Sequence, residues 1–383
     1  MKNIVGILIL IAVLISCGSR SKLNEDKEAC VFKVEVEKAL PIDVKSEIDS
    51  FRFLILETSD SLQIGRISKI LFHDDKMIIT DAITNNLYIF NRNGKLLNKI
   101  SNIGNGPGEY VRIDDVIIDY VLKYIVVLDG IQKKMITYSM AGKYINEFTF
   151  QTEHAPMHFG QINEDLYAFD YQRHSNDSLW KYNLVVSSLE TGSEKQKYLP
   201  YEVSLGVSFS PQTTLFKLED TLVYIPQYSS IVYNILNDRI DVRYSFDFED
   251  KWITDDFEKI KWNNAVDFMN ALESSNFVYY FNLLETKSHI YGRFNYKDKL
   301  CYLIINKQAQ ISKLFYDKKS DYRFSISPIA VDGNEFVVPL EAYQIRDFVE
   351  EETVKNKLKN NGISDYLQVS EDSNPILVFI TFK

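Results

Sequence analysis

Residues Met77–Asn98 read MIITDAITNNLYIFNRNGKLLN, and Ile125–Asn146, 48 positions further on, read IVVLDGIQKKMITYSMAGKYIN. Asp81 falls on Asp129, Ile83 on Ile131, Gly94 on Gly142, Lys95 on Lys143 and Asn98 on Asn146, with apolar residues matching apolar ones between. A repeat of roughly 40 to 50 residues built from short strands marks a propeller blade. Each copy needs a tight turn before its last strand. Asn91-Arg92-Asn93-Gly94 and Ser139-Met140-Ala141-Gly142 supply it, with glycine where the backbone turns left-handed.

Outward from this pair, β-branched and aromatic runs punctuated by Gly, Asn, Asp and Pro dominate. Blade one runs from about Ile64 to Ile100 and blade two from Tyr110 to Phe150. Fainter copies follow: Leu166–Asp170 with Tyr182–Leu189, then Thr214–Phe248, Tyr279–Tyr316, and Phe324–Leu340. The expected fold is all-β, a six-bladed propeller of four-stranded antiparallel blades spanning residues 31–383. An open ring would leave unpaired edges. The strand-like ends, Phe51–Glu57 and Ile376–Phe382, are expected to pair and seal it, with Val31–Glu37 adding to that edge. Two stretches depart from the strand pattern, at about 254–273 and 344–360, and read as helical insertions on a propeller face.

The N-terminus sets the location. Lys2 precedes the apolar run Ile4–Ile15, and Leu14-Ile15-Ser16-Cys17 forms a lipobox. Residues 1–17 are expected to be a lipoprotein signal peptide, Cys17 the lipidated mature N-terminus, and residues 18–30 a polar tether. Several acyl chains on one cysteine would anchor the protein stably to a membrane. Of the three cysteines only Cys30 and Cys301 then remain, and their spacing suggests no disulfide framework. Loss of residues 1–17 removes Lys2 and no acid, leaving 42 basic against 53 acidic residues. Without a basic stripe, nucleic acid is excluded as a partner.

Between the first two blades stands Gly104-Asn105-Gly106-Pro107-Gly108-Glu109-Tyr110, which resembles the inter-blade signature of NHL-type propellers. With the lipobox, Leu56-Glu57-Thr58, Ile64-Gly65, Ile231-Val232-Tyr233 and the closing Glu371-Asp372-Ser373-Asn374-Pro375-Ile376-Leu377-Val378, the chain resembles the six-bladed β-propeller lipoproteins of Gram-negative bacteria. That resemblance implies an envelope protein with a binding or structural role. The outer membrane, periplasm-facing side is the expected location, because no acidic cluster directly follows Cys17.

Other six-bladed propellers are metal-dependent enzymes, and such an enzyme would need its metal ligands in this sequence. The one close histidine pair, His154 and His158, is separated by Pro156, which rules out a helical pairing. No nucleophile elbow, phosphate loop or Ser/His/Asp grouping occurs. Calcium is the one cofactor left open, since its oxygen ligands could come from distant blades. Asp81 and Asp129 read instead as turn caps, because a residue repeated per blade serves the blade. Most of the 24 Tyr and 24 Phe belong to strand packing. The reading is therefore a non-catalytic binding module for a glycan, peptide or envelope protein. The alternative is a metal-dependent hydrolase, lactonase or lyase with an axial site. Loop placement nominates Arg66, Glu109, Tyr110, Arg112, His158, Gln227 and Tyr228 as ligand-binding residues.

Overall fold

The computed structural model describes residues 30–41, 44–150, 155–172, 181–191, 193–201, 213–253, 264–318, 326–350 and 369–383. The expected signal peptide, Cys17 and nearly all of the expected tether lie outside the described residues.

Six antiparallel blades ring a central axis. Their innermost strands are Ile67–His73, Asp115–Asp119, His158–Gln161, Leu215–Leu218, Val278–Glu285 and Ala330–Asp332. In blades one to five the chain works outward strand by strand before crossing to the next blade. The continuous apolar runs of the repeat follow from this stacking. Side chains alternate across a strand, and in blade one Met77, Ile79, Tyr88 and Phe90 pack against blade six. Ile78, Leu87 and Ile89 face Val116, Ile118 and Val127 of blade two. Both faces are core, so neither needs a polar residue. Each fully buried side chain of this kind contributes about 1.5–3 kcal/mol.

Blade six closes the ring. Its inner three strands are C-terminal and the fourth, Ile48–Leu54, comes from the N-terminal part of the chain. Register runs from Ile48 opposite Phe382 to Leu54 opposite Leu377. The closing strand thus starts a little earlier than Phe51, but the pairing is the expected one. Asn374, buried beside this seam, clasps it. Its side-chain amide donates to the Glu57 and Leu62 carbonyls, and its side-chain oxygen accepts from the Ile64 amide at 2.7 Å. The closing motif and the Leu56-Glu57-Thr58 and Ile64-Gly65 motifs are therefore two halves of one joint.

The first extended segment does not join that edge. Cys30–Lys33 pairs in parallel with the outermost strand of blade four, Ile240–Asp247. Leu40 then bridges Phe315 on the outer strand of blade five, and Glu47 meets Lys313 at 2.6 Å. One strap thus covers the outer edges of blades four and five before becoming the edge of blade six, which hides edges that would otherwise be templates for pairing. Cys30 is exposed and Cys301 buried, both as free thiols.

Two α-helices are described: α1 (Ala265–Ser274) and α2 (Gln344–Glu350). The side chain of Asn264 caps α1 by accepting from the Asp267 amide. The expected start at Thr254 lies outside the described residues, as does the second insertion beyond Glu350.

Candidate functional site

The two faces of the ring differ in their connections. On one face, the turn face, strands one and two, and strands three and four, are joined by two to five residues. On the other, the crossover face, the chain passes between blades through 101–114, 201–214 and 248–277, and within blade six through 341–375. Long connections on a rigid scaffold are where binding residues concentrate.

An axial cavity of about 720 Å³ lies inside the ring and draws its walls from all six inner strands, with Ile70, Ile117, Phe159, Leu215, Leu284 and Ala330 as examples. Tyr120, Glu219, Lys287 and Gly333, all in first turns, also line it, so it extends to the turn face. The size is that of a small-molecule or peptide side-chain site. At the rim Lys287 pairs with Glu219 at 2.9 Å. Lys217 stands 4.7 Å from the centre of the Tyr120 ring and makes no ion pair among the described residues. Glu285 lies deeper in the wall, fully buried, where the Arg243 guanidinium, the Tyr244 hydroxyl and the Lys307 ammonium all donate to it. Burial works to raise its carboxyl, but Arg243 and Lys307 outweigh it and hold the group below its ordinary range.

At the opposite end, toward the crossover face, polar groups from three blades meet. Lys69 of blade one pairs with Asp115 of blade two at 2.6 Å. Asp115 also accepts from the Val116 and Phe159 amides, and the His158 Nδ1 stands 3.6 Å away. Burial works against the Asp115 carboxylate, yet the Lys69 charge and His158 hold it at about 2. His158 is paired in register with Asp170, the last residue of the second strand of blade three. Asp170 is fully buried, and burial pushes its carboxyl up.

Asp170 occupies the place that Asp81 and Asp129 hold in the first two blades. Those two are built into their turns. Asp81 accepts from the Gly65, Arg66 and Ile83 amides and the Thr84 hydroxyl. Asp129 accepts from the Val111, Ile131 and Gln132 amides and the Gln132 side chain. Each carboxylate therefore ties the incoming crossover to its own blade, as the capping reading of the repeat requires. For Asp81, burial raises the carboxyl but the Thr84 and backbone donors outweigh it, so the group lies below its ordinary range.

The seven nominated residues do not converge. Tyr110 is fully buried between blades one and two, its hydroxyl donating to the Ile100 carbonyl at 3.0 Å. Glu109 accepts from the Gly106 amide at 2.8 Å and so folds the loop on itself. In that loop Gly108 alone has a positive φ, +70°. At Gly104 a Cβ would meet the Glu109 carboxylate at 2.1 Å, so a larger residue there would displace that side chain from the loop. Arg112 is exposed and paired with Asp114. Arg66 is exposed, with its backbone amide donating to Asp81. Gln227 is buried, and Tyr228 packs with Ile253 and Phe268 of α1. His158 alone belongs to the polar cluster. Lys69, Asp115, Asp170 and Thr214 were not nominated, although LYAFD at 166–170 repeats the aspartate of MIITD and IVVLD and could have pointed to Asp170. Among the described residues no three His, Cys, Asp or Glu side chains are grouped to hold a metal ion.

Comparison with known proteins agrees with this architecture. A family model described as a 6-bladed β-propeller (DUF5128) matches residues 19–339, so the chain belongs to that family. A crystal structure of a Bacteroides fragilis protein described as exported is 19% identical, covering 93% of this chain and 100% of its own, with a TM-score of 0.78. A member of the DUF4221 family from Bacteroides vulgatus is 13% identical, covering 88% and 97%, with a TM-score of 0.52. At these identities the likeness speaks for the fold alone. No curated protein matches the chain.

Proposed function

We propose that this propeller is a lipid-anchored envelope protein, periplasm-facing on the outer membrane, that acts as a non-catalytic binding module. The axial cavity carries the reading. Its walls are largely apolar, aliphatic side chains with the rings of Phe72, Tyr120, Phe159 and Phe216, and its rim holds lysines and acids together. That combination suits an apolar peptide segment, free or part of an envelope protein, better than a glycan, whose many hydroxyls would lose their hydrogen bonds against an apolar wall. The lipobox at Cys17 and the description of the similar Bacteroides fragilis protein as exported support the location.

Peptide and glycan arrays probed with the chain lacking residues 1–17 test the ligand class. Apolar peptides are expected to bind, and Ala330→Trp, which fills the cavity, to abolish binding while the unfolding midpoint is retained. If that variant misfolds, Lys217→Glu at the rim serves instead. Glycan-only binding, or binding indifferent to both variants, would overturn the proposal. Stoichiometric calcium or zinc in the purified protein would favour the metal-dependent alternative. Labelled palmitate is expected in the wild type and absent from Cys17→Ser, and protease added to intact cells should leave the protein uncut.

A further inference from the structure

Asp170 uses half of its carboxylate. Its Oδ1 accepts from the Tyr224 hydroxyl at 3.0 Å and the Gln172 amide at 3.1 Å. Its Oδ2 is buried and has no hydrogen-bond partner, and neither has the equally buried Thr214 hydroxyl. That hydroxyl and the His158 imidazole adjoin the carboxyl, the hydroxyl without the geometry of a hydrogen bond to it. An unfilled buried acceptor costs its full desolvation, and folds rarely leave one without a reason. Blades one and two show that the same strand position can be completely satisfied by backbone amides. In blade three it is not.

We infer that Asp170 and Thr214, with His158 at the outer edge, form a binding site for a primary ammonium group. Once Asp170 is ionised its open Oδ2 can only accept, so a ligand that completes it supplies donors. A divalent cation would ask for six or more oxygen ligands or a set of three acidic or imidazole groups, and no such set exists among the described residues. A primary ammonium brings three N–H donors and no acceptor. Charge agrees. Asp115 is already neutralised by Lys69, and Tyr224 contributes only its hydroxyl, so Asp170 alone is left to meet an added cation. The site adjoins the crossover end of the axial cavity, where Lys69, Phe159, Thr213 and Leu215 line the wall. It asks for a cation, a different chemistry from the apolar segment proposed for the cavity itself.

Because burial raises the Asp170 carboxyl, entry of the ammonium must displace its proton, and affinity should rise with pH as that proton is lost more readily. Calorimetry on the chain lacking residues 1–17 tests this with Nα-acetyl-lysinamide and alaninamide, which separate a lysine side chain from a peptide N-terminus as the source. One of them is expected to bind, with a proton passed to the buffer and affinity that rises with pH as the Asp170 proton is lost. Its trimethylated form, a cation without N–H donors, should bind about tenfold more weakly or not at all. Asp170→Asn should abolish binding, whereas Asp129→Asn, the same place in blade two, should leave it intact. If Asp170→Asn misfolds, Thr214→Val carries the test with about a tenfold loss. Equal binding by Asp170→Asn, equal binding of the trimethylated probe, displacement by potassium alone, or no heat with either amine would each overturn the assignment.

Discussion

Asp129 and Asp170 end the second strand of consecutive blades and are used in opposite ways. Asp129 gathers four donors from its own turn and the preceding crossover. Asp170 takes two on one oxygen and leaves the other empty in the core. The chemistry is the same and the position is the same, so the difference lies in the blade around it. Blade two closes over its aspartate with the four-residue turn 130–133, while blade three continues through 171–181. Where the repeat is kept, the residue serves the fold; where the surroundings depart, the same residue is released for another use.

The largest expected effect tests whether the repeated positions are structural. Gly94 has φ +78°, and a Cβ there would sit 2.2 Å from the Ile55 carbonyl oxygen, which belongs to the backbone beside the closing strand. Gly94→Ala should cost about 3 kcal/mol or more in urea unfolding. Gly333 also has a positive φ, +61°, but nothing lies within 4 Å of its Cβ position. Gly333→Ala should cost only about 1–2 kcal/mol, the left-handed backbone term alone. Equal losses would mean that the close approach at the closure does not matter.

Asp129→Ala comes next. It strands the Val111, Ile131 and Gln132 amides and should cost about 2 kcal/mol by the same measurement. Asp81→Ala should do likewise. If Asp170→Asn costs as much as either, Asp170 is a third cap and the contrast between the blades fails.

Much of this was legible in the chain. The repeat at Met77 and Ile125 set the strand spacing, and the terminal runs set the closure, because a blade buried on both faces must be written in continuous apolar residues. What could not be read was which apolar residues face the axis, since Ile117 and Phe159 look like any other core residue. Cys30–Lys33 went to blade four for a related reason: any uncovered edge offers the same backbone groups, and sequence alone does not rank them. Of the polar cluster only His158 was nominated, because Lys69, Asp115 and Asp170 reach it from three blades and meet only through register. Tyr110 was nominated from its loop and is a buried core residue, since its hydroxyl finds the Ile100 carbonyl.

A smaller effect separates the aspartates by pH. Asp170 is raised by burial, so between the unfolded and the folded value the native state holds a proton that the unfolded chain gives up. Its contribution is fully present below the ordinary aspartate range and declines as pH rises through its folded value. Asp115, held at about 2 by Lys69 against burial, behaves in reverse: its contribution is present above about pH 4 and is lost as pH falls toward 2. Asp170→Asn should therefore flatten the decline of stability toward high pH and leave the acid limb as it is. An unchanged slope on the high-pH side would mean that Asp170 is ionised in the native state.

The smallest expected change in stability compares the two faces rather than two blades. Lys217 on the turn face is half-buried and lies over the Tyr120 ring, without an ion pair among the described residues. An exposed cation–π contact of this kind contributes about 0.5–1 kcal/mol, so Lys217→Met should barely move the unfolding midpoint. If a peptide enters the axial cavity from the turn face, however, the same substitution removes a cation from its mouth and should weaken binding several-fold without touching amine binding at Asp170. Lys69→Met acts at the crossover end instead, where the freed Asp115 carboxylate should tighten amine binding rather than weaken it. It strips the buried Asp115 of its counter-charge, a loss of about 3–5 kcal/mol, and disturbs the crossover end while the turn-face rim stays intact. Titrations of both variants with both ligands would show whether the faces act independently; a Lys217→Met variant that also lost amine binding would join them into a single site.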